Sequence, residues 1–346
     1  MSVVPRETLL VAGHTVALTY DDAAREYTAL HDTCGALRRD ERARWAFTGA
    51  KAAETLNGIL SNDIEALTPG SGCYALALTP KGRVVADVRV LRRDEDCLLD
   101  VASRASPGWA ELVRKYVNPR LATCTDISGS TGCVGAYGPR AAATIARLSV
   151  LDPNVLAAMA PFSHVQGDIA GQAARIVRSP DFGVLGFDII VDAPHANMLF
   201  DALLGAGARA VGLAAADIVR VEAGRPEWGI DMDDTTMPQE ANLETLHAIS
   251  FTKGCYTGQE VVARVHFRGH INRTLRGLVG SQPMPPRATL ISAEHADVGD
   301  VRSSVVSPRF GPIALAMVRC EIALGEEILV RDGEHEHAVR VVGLPF

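Results

Sequence analysis

ARWAFTGAKAAETLNGILSNDIEALTPGSGCYALALTPKGRVVADVRVL fills residues 43–91, and its reading decides the architecture. Residues 43–48 alternate in the manner of a strand. Over 50–60, Ala50, Ala53, Leu56, Ile59 and Leu60 fall near one face of a helix. Pro69, Gly70 and Gly72 then break the pattern. Strands are expected at 73–79, 83–92 and 97–102, with a hairpin turn around Lys81-Gly82. Pro107, just inside Ser106, marks the first turn of a helix over 107–118. A strand at 121–127 closes the unit.

Working outward, the order partly recurs. A strand at 132–137 and a helix at 139–149 precede strands at 173–179 and 185–192, a helix at 194–206 and a strand near 208–212. This is the order of split β-α-β, ferredoxin-like modules. From about 275 the character changes: RTLRGLVG, ATLISA, GDVRSSVVS, GPIALAMVR, EEILVRD and EHAVRVVGL are short alternating runs separated by turn residues. Evenly spaced runs of this kind indicate a small antiparallel barrel. The expected fold class is α+β, with two interleaved ferredoxin-like modules at 1–130 and 131–271 and a C-terminal antiparallel β-barrel at 272–346.

Composition supports a globular chain. With 346 residues, two to three domains are expected at about 150 residues each. Apolar residues make up 47% and charged residues 22%, which disfavours disordered and fibrous classes. The formal charge of −7 does not suit a stable nucleic-acid partner. No apolar run approaches the ~18 residues of a membrane span, so no membrane partner is expected. The first residues do not read as a signal peptide. Seven cysteines without a CxxC point to a cytoplasmic location and against a disulfide framework or a metal site.

The densest chemistry lies in ISFTKGCYTGQEVVARVHFRGH, residues 249–270. Thr257 and Glu260 fit a capping box, so a helix is expected from about Gly258. Cys255 precedes that cap and Lys253 stands two residues upstream of it; both sources of positive potential favour a thiolate. The competing reading is a small buried residue in a tight turn. The other six cysteines, in strand-like runs or after a helix, are expected to fill the core. Downstream, Arg264, His266, Arg268, His270 and Arg273 form either a contact surface or a solvated helix face.

The string KGCYTGQE at 253–260 resembles the signature of the YgfZ family of folate-binding proteins. LSNDIEALTPGSGCYALALTPKGRVVADVRVL at 60–91 and GLAAADIVRVEAGRPEWGIDMDDTTMPQEANL at 212–243 resemble segments of the glycine-cleavage T-proteins. The resemblance implies three domains in a cloverleaf around a folate channel, and tetrahydrofolate or a one-carbon derivative as cofactor. It further implies iron–sulfur client enzymes as partners, tRNA-thiolating ones among them, with Cys255 as the functional thiol. Asp63 matches the catalytic aspartate of T-proteins, and Asp188 the glutamate that holds the pterin. Asp63 also fits a loop aspartate bonding its own backbone, and Asp188 an exposed strand residue. Tyr74 and Trp228 could stack on a pterin or sit in the core. Arg220 and Glu222 match a shared motif that a salt bridge would equally explain. Ala216 stands where T-proteins usually carry an arginine. The first reading is therefore a folate-binding accessory protein for iron–sulfur enzymes. The alternative is a folate-dependent aminomethyltransferase or demethylase with Asp63 as its carboxylate, and the third a tRNA- or protein-binding module.

Overall fold

The computed structural model describes residues 3–346. A five-stranded antiparallel sheet has the order Gly72–Leu78, Val84–Arg92, Cys97–Ala102, Arg42–Thr48, Thr123–Asp126. The first two strands form a hairpin in which Gly82, at φ +70°, takes a turn conformation that favours glycine. Along Val84–Arg92 the side chains alternate. Ala86, Val88 and Val90 enter a core with Phe47, Leu56 and Trp109, beneath the helices Ala52–Ile59 and Ser106–Tyr116. Asp87 and Arg89 therefore face the other way, toward the middle of the molecule.

A six-stranded sheet has the order His164–Ile169, Gln172–Arg178, Gly186–Asp192, Thr131–Tyr137, Gly35–Arg38, Arg209–Val211. All its pairs are antiparallel except the last. One face packs on the helices Ala141–Ala146 and Ala196–Gly205. Gly35–Arg38 belongs to this sheet, yet three residues later the chain enters the other sheet as Arg42–Thr48. The two modules thus interleave, and Arg39, Asp40 and Glu41 cross between them.

The six C-terminal strands close into an antiparallel barrel, sealed where Gly277 pairs with Val342. The helix Leu213–Glu222 docks it: Val221 packs on Leu275, Ile313, Leu315 and Met317. Glu222 accepts from Tyr27 Oη at 2.9 Å and Ser307 Oγ at 2.5 Å. No helix among the described residues is long and apolar enough to cross a membrane.

The architecture agrees with the α+β reading, including its barrel, and several elements add to it. An N-terminal hairpin (Glu7–Val11, His14–Thr19), the helices Ala23–Asp32, Pro153–Ala157 and Leu213–Glu222, and the strand His164–Ile169 were not resolved from the pattern. The capping box is corrected. The helix Gln259–Arg268 has Gly258 as N-cap, at φ +84°, with no side-chain cap bond. A Cβ at Gly258 would lie 2.6 Å from the Thr79 carbonyl oxygen, so this turn needs glycine to approach the Gly82 hairpin. Of the six cysteines assigned to the core, Cys320 is exposed, while Cys73 and Cys124 are half-buried.

Gly258→Ala therefore combines backbone strain with a steric clash. Urea unfolding should show a loss of more than about 1 kcal/mol; an unchanged midpoint would contradict this turn geometry.

Candidate functional site

Between the two sheets lies a narrow cleft with a cavity volume of about 70 Å³. The crossover supplies Arg39, Glu41 and Arg42; the first sheet supplies Tyr74, Asp87 and Arg89; the loop before Gly186–Asp192 supplies Asp181 and Phe182. Leu213, Asp217 and Arg220 reach it from one face of their helix, at the spacing that stacks side chains together. Arg104, Arg225 and Glu227 complete the charged lining, which sets six arginines against five carboxylates.

These charges are buried in pairs, as burial requires. Arg39 reaches Glu41 at 2.6 Å, Asp181 at 3.1 Å and Asp188 at 3.1 Å. Arg89 reaches Asp181 at 2.5 Å and Asp100 at 3.0 Å, and Arg42 reaches Asp100 at 2.6 Å. For Asp181 burial opposes ionisation, but the guanidiniums of Arg89, Arg39 and Arg42 overcome it and hold the carboxyl well below its usual range. Glu227 goes the opposite way: burial pushes it up to about 7 although Arg220 and Arg104 pull it down.

Three polar atoms in this wall are left over. Glu41 Oε2, Asp87 Oδ1 and Ser103 Oγ are buried without a hydrogen-bond partner, and all three residues line the cleft. Buried orphans of this kind are uncommon and costly. Here two are carboxylate oxygens, which need donors. The cleft therefore fits a ligand rich in N–H groups.

The residues singled out in the sequence separate into two groups. Tyr74 and Arg220 line the cleft. Tyr74 Oη donates to Asp87 Oδ2 at 3.3 Å, and burial raises its pKa well above the usual value. Arg220 is an anchor, bonding Asp231 at 2.7 Å, Ser303 at 2.8 Å and Asp217 at 3.0 Å. Asp188 is buried behind the wall, not on an exposed strand face; it accepts from Tyr137 Oη at 2.5 Å and from Arg39. Glu222 ties the barrel to the modules, and Trp228 donates to the Val84 carbonyl at 3.3 Å. Ala216 is fully buried, in a cluster with Tyr27, Leu37 and Val219.

Asp63, Lys253 and Cys255 form the second group, around the end of the helix Ala52–Ile59. Asp63 Oδ1 accepts the Ala66 N–H at 3.1 Å. Lys253 does not turn its ammonium to the thiol. It donates to the carbonyls of Asn57, Leu60 (2.8 Å) and Asn62 (3.0 Å), in the last turn of that helix and the loop beyond it. Burial lowers its pKa to about 8. Cys255 is exposed, not packed in a buried turn. Among the described residues no group of three or more His, Cys, Asp or Glu side chains could hold a metal ion.

Arg39, Glu41, Asp87, Arg89, Ser103 and Asp181 were missed in the sequence. The signal was present for two of them: Asp87 and Arg89, spaced i and i+2 in VVADVRVL, interrupt an otherwise apolar strand on one face.

Lys253→Met should leave three carbonyls without a donor and cost about 1–3 kcal/mol in thermal unfolding. Alkylation of Cys255 should keep its rate in that variant. A tenfold slower reaction would show that Lys253 does activate the thiol.

Comparison with known proteins gives the same architecture. Residues 8–253 match the GCVT N-terminal domain, and residues 273–346 match the glycine cleavage T-protein C-terminal barrel domain. An aminomethyltransferase of Nostoc sp. is 27% identical, covering 96% of this chain and 90% of its own length. One from Streptomyces coelicolor is 30% identical, covering 97% and 92%. The crystal structure of aminomethyltransferase T from Bartonella henselae superposes with a TM-score of 0.87 at 26% identity, covering 98% and 93%. Residues 254–272, which include Cys255, lie between the two matched stretches. From the match to both of its domains, this chain belongs to the glycine cleavage T-protein family, whose aminomethyltransferases use tetrahydrofolate.

Proposed function

We propose that this protein binds tetrahydrofolate or a one-carbon derivative in the arginine–carboxylate cleft and catalyses transfer of the one-carbon unit, as an aminomethyltransferase of the T-protein type. The unpaired Glu41 Oε2 and Asp87 Oδ1 carry this reading. A pterin ring presents an amino group beside a ring N–H, and carboxylate oxygens suit such donors. Asp188 already receives Arg39 and Tyr137. In this reading Asp188 orients Arg39, and the ring is left to Glu41 and Asp87. Tyr74 supplies an aromatic wall. Folate itself supplies the nitrogen that carries the one-carbon unit. Asp63 is the candidate for stabilising positive charge at that unit; it adjoins Asn62, whose amide bonds the Tyr74 carbonyl at 2.8 Å. The relatives named aminomethyltransferase support this reading over the accessory-protein one.

The accessory reading, in which the YgfZ-like signature serves iron–sulfur client enzymes, is favoured by one observation: the exposed thiol of Cys255. The two readings share the folate and differ in the sulfur.

Calorimetry should detect tetrahydrofolate binding to the folded chain, and Glu41→Gln and Asp87→Asn should each weaken it by about 1–3 kcal/mol. An absence of binding to the wild type would remove the folate reading altogether. Turnover decides between the two functions. With an aminomethylated lipoyl carrier the transferase reading expects folate-dependent turnover, abolished by Asp63→Ala and unaffected by Cys255→Ser. If no turnover is seen, and Cys255→Ser fails to restore iron–sulfur enzyme activity to a deletion strain that the wild type rescues, the accessory reading replaces it.

A further inference from the structure

Beside the charged cleft lies a second cavity of different character. Its lining includes Asn62, Cys73, Tyr74, Phe162, Arg225 and His247. Tyr74, Phe162, Arg225 and Leu246 also line the first cavity, so the two adjoin across these side chains. The second cavity lacks the dense carboxylate network of the first, and no aspartate or glutamate lines it.

Arg225 is the cation in surplus. Arg39, Arg42, Arg89, Arg104 and Arg220 all have carboxylate partners. Arg225 has none within salt-bridge distance among the described residues, and its guanidinium makes no hydrogen bond there. Its backbone is fixed independently of its side chain: its N–H donates to the Arg220 carbonyl at 3.1 Å, and its own carbonyl accepts from Arg220 Nη1 at 2.7 Å. It is half-buried, and burial lowers its pKa. Asp181, beyond salt-bridge distance, offsets only part of that desolvation, and no anion contacts the guanidinium directly.

The wall opposite is also built. Phe162 has φ +63°, a conformation that bulky residues rarely adopt. Its N–H donates to the Arg178 carbonyl at 2.8 Å. Its carbonyl approaches Gly72 so closely that a Cβ there would lie 2.6 Å from the oxygen. This holds the Phe162 ring 6.1 Å from that of Tyr74, nearly parallel at 12°. A stacked aromatic wall beside a guanidinium without a direct partner suits an aryl group linked to a carboxylate.

We infer that Arg225 is a specificity-determining residue that receives a carboxylate of the ligand, with the stacked rings of Tyr74 and Phe162 forming one wall beside the aryl group that leads to it. The inference rests on the folate reading and assigns the glutamate end of the molecule to this second cavity. The donor-rich ring then occupies the first.

Three probes and two variants test it. The probes are tetrahydrofolate, tetrahydropteroyl amide (whose aryl carbonyl ends in a neutral amide in place of the glutamate) and p-aminobenzoylglutamate (which lacks the pterin ring). The wild type should prefer tetrahydrofolate to the neutral tetrahydropteroyl amide by about tenfold, the value of a charge-assisted bond. Arg225→Met should erase that preference without changing the affinity for the neutral amide, and Arg225→Lys should restore part of it. Equal thermal midpoints will show that both variants fold. A preference that survives in Arg225→Met, or an equal loss for both folates, overturns the inference while leaving the folate reading intact. If the wild type binds neither folate but does bind p-aminobenzoylglutamate, and Arg225→Met loses that binding, the folate reading fails and the carboxylate site stands.

Discussion

Arg39 sits on the three-residue crossover between the sheets, and most of the central structure depends on the ion pairs it makes. Its guanidinium is buried and bonded to Glu41, Asp181 and Asp188 together. Those carboxylates come from the crossover, from a loop of the six-stranded sheet and from one of its strands. The five-stranded sheet joins through Arg89, which shares Asp181. Buried charge of this density is not an efficient source of stability, because desolvation offsets most of the attraction. Its effect is positional. Arg39, Arg42, Arg89 and Arg220 are each held by more than one carboxylate, so the facing walls of the cleft are fixed relative to one another. Two carboxylate oxygens and a hydroxyl in that wall are left without partners. Beside these ion pairs, the two carboxylate oxygens are free to receive donors from a ligand.

The barrel was legible in the sequence because its strands alternate cleanly and turn residues separate them. The same holds for the strands and helices of the two sheets, whose apolar faces repeat at the strand or helix period. The interleaving rests on four residues, Gly35–Arg38, whose antiparallel partner begins 93 positions beyond its last residue, at Thr131. A run that short carries no periodic signal, and its place is decided by tertiary pairing. The capping box at Thr257 failed for a different reason. The turn must pass the Thr79 carbonyl at a distance that no Cβ permits, so Gly258 took the cap position.

The site was legible in part. Tyr74 and Arg220 lie on the cleft, whereas Asp63, Lys253 and Cys255 gather around the helix end nearby. Lys253 illustrates the limit of proximity in sequence. Two residues from Cys255, it was expected to polarise the thiol, but three backbone carbonyls offered better partners for its three donors. Asp188 shows a related limit: a carboxylate on a strand does not reveal whether its oxygens point to a ligand or to an arginine 149 positions away. Arg225 gave no signal at all, since its significance lies in a partner it lacks.

The central claim is that Glu41 and Asp87 hold their unpaired oxygens for the donors of a ligand ring. A crystal structure of the tetrahydrofolate complex tests it most directly. The account predicts ring N–H groups within hydrogen-bond distance of Glu41 Oε2 and Asp87 Oδ1, with Asp188 still bound to Arg39. A ring seated elsewhere, with those two oxygens still unpaired, would contradict it.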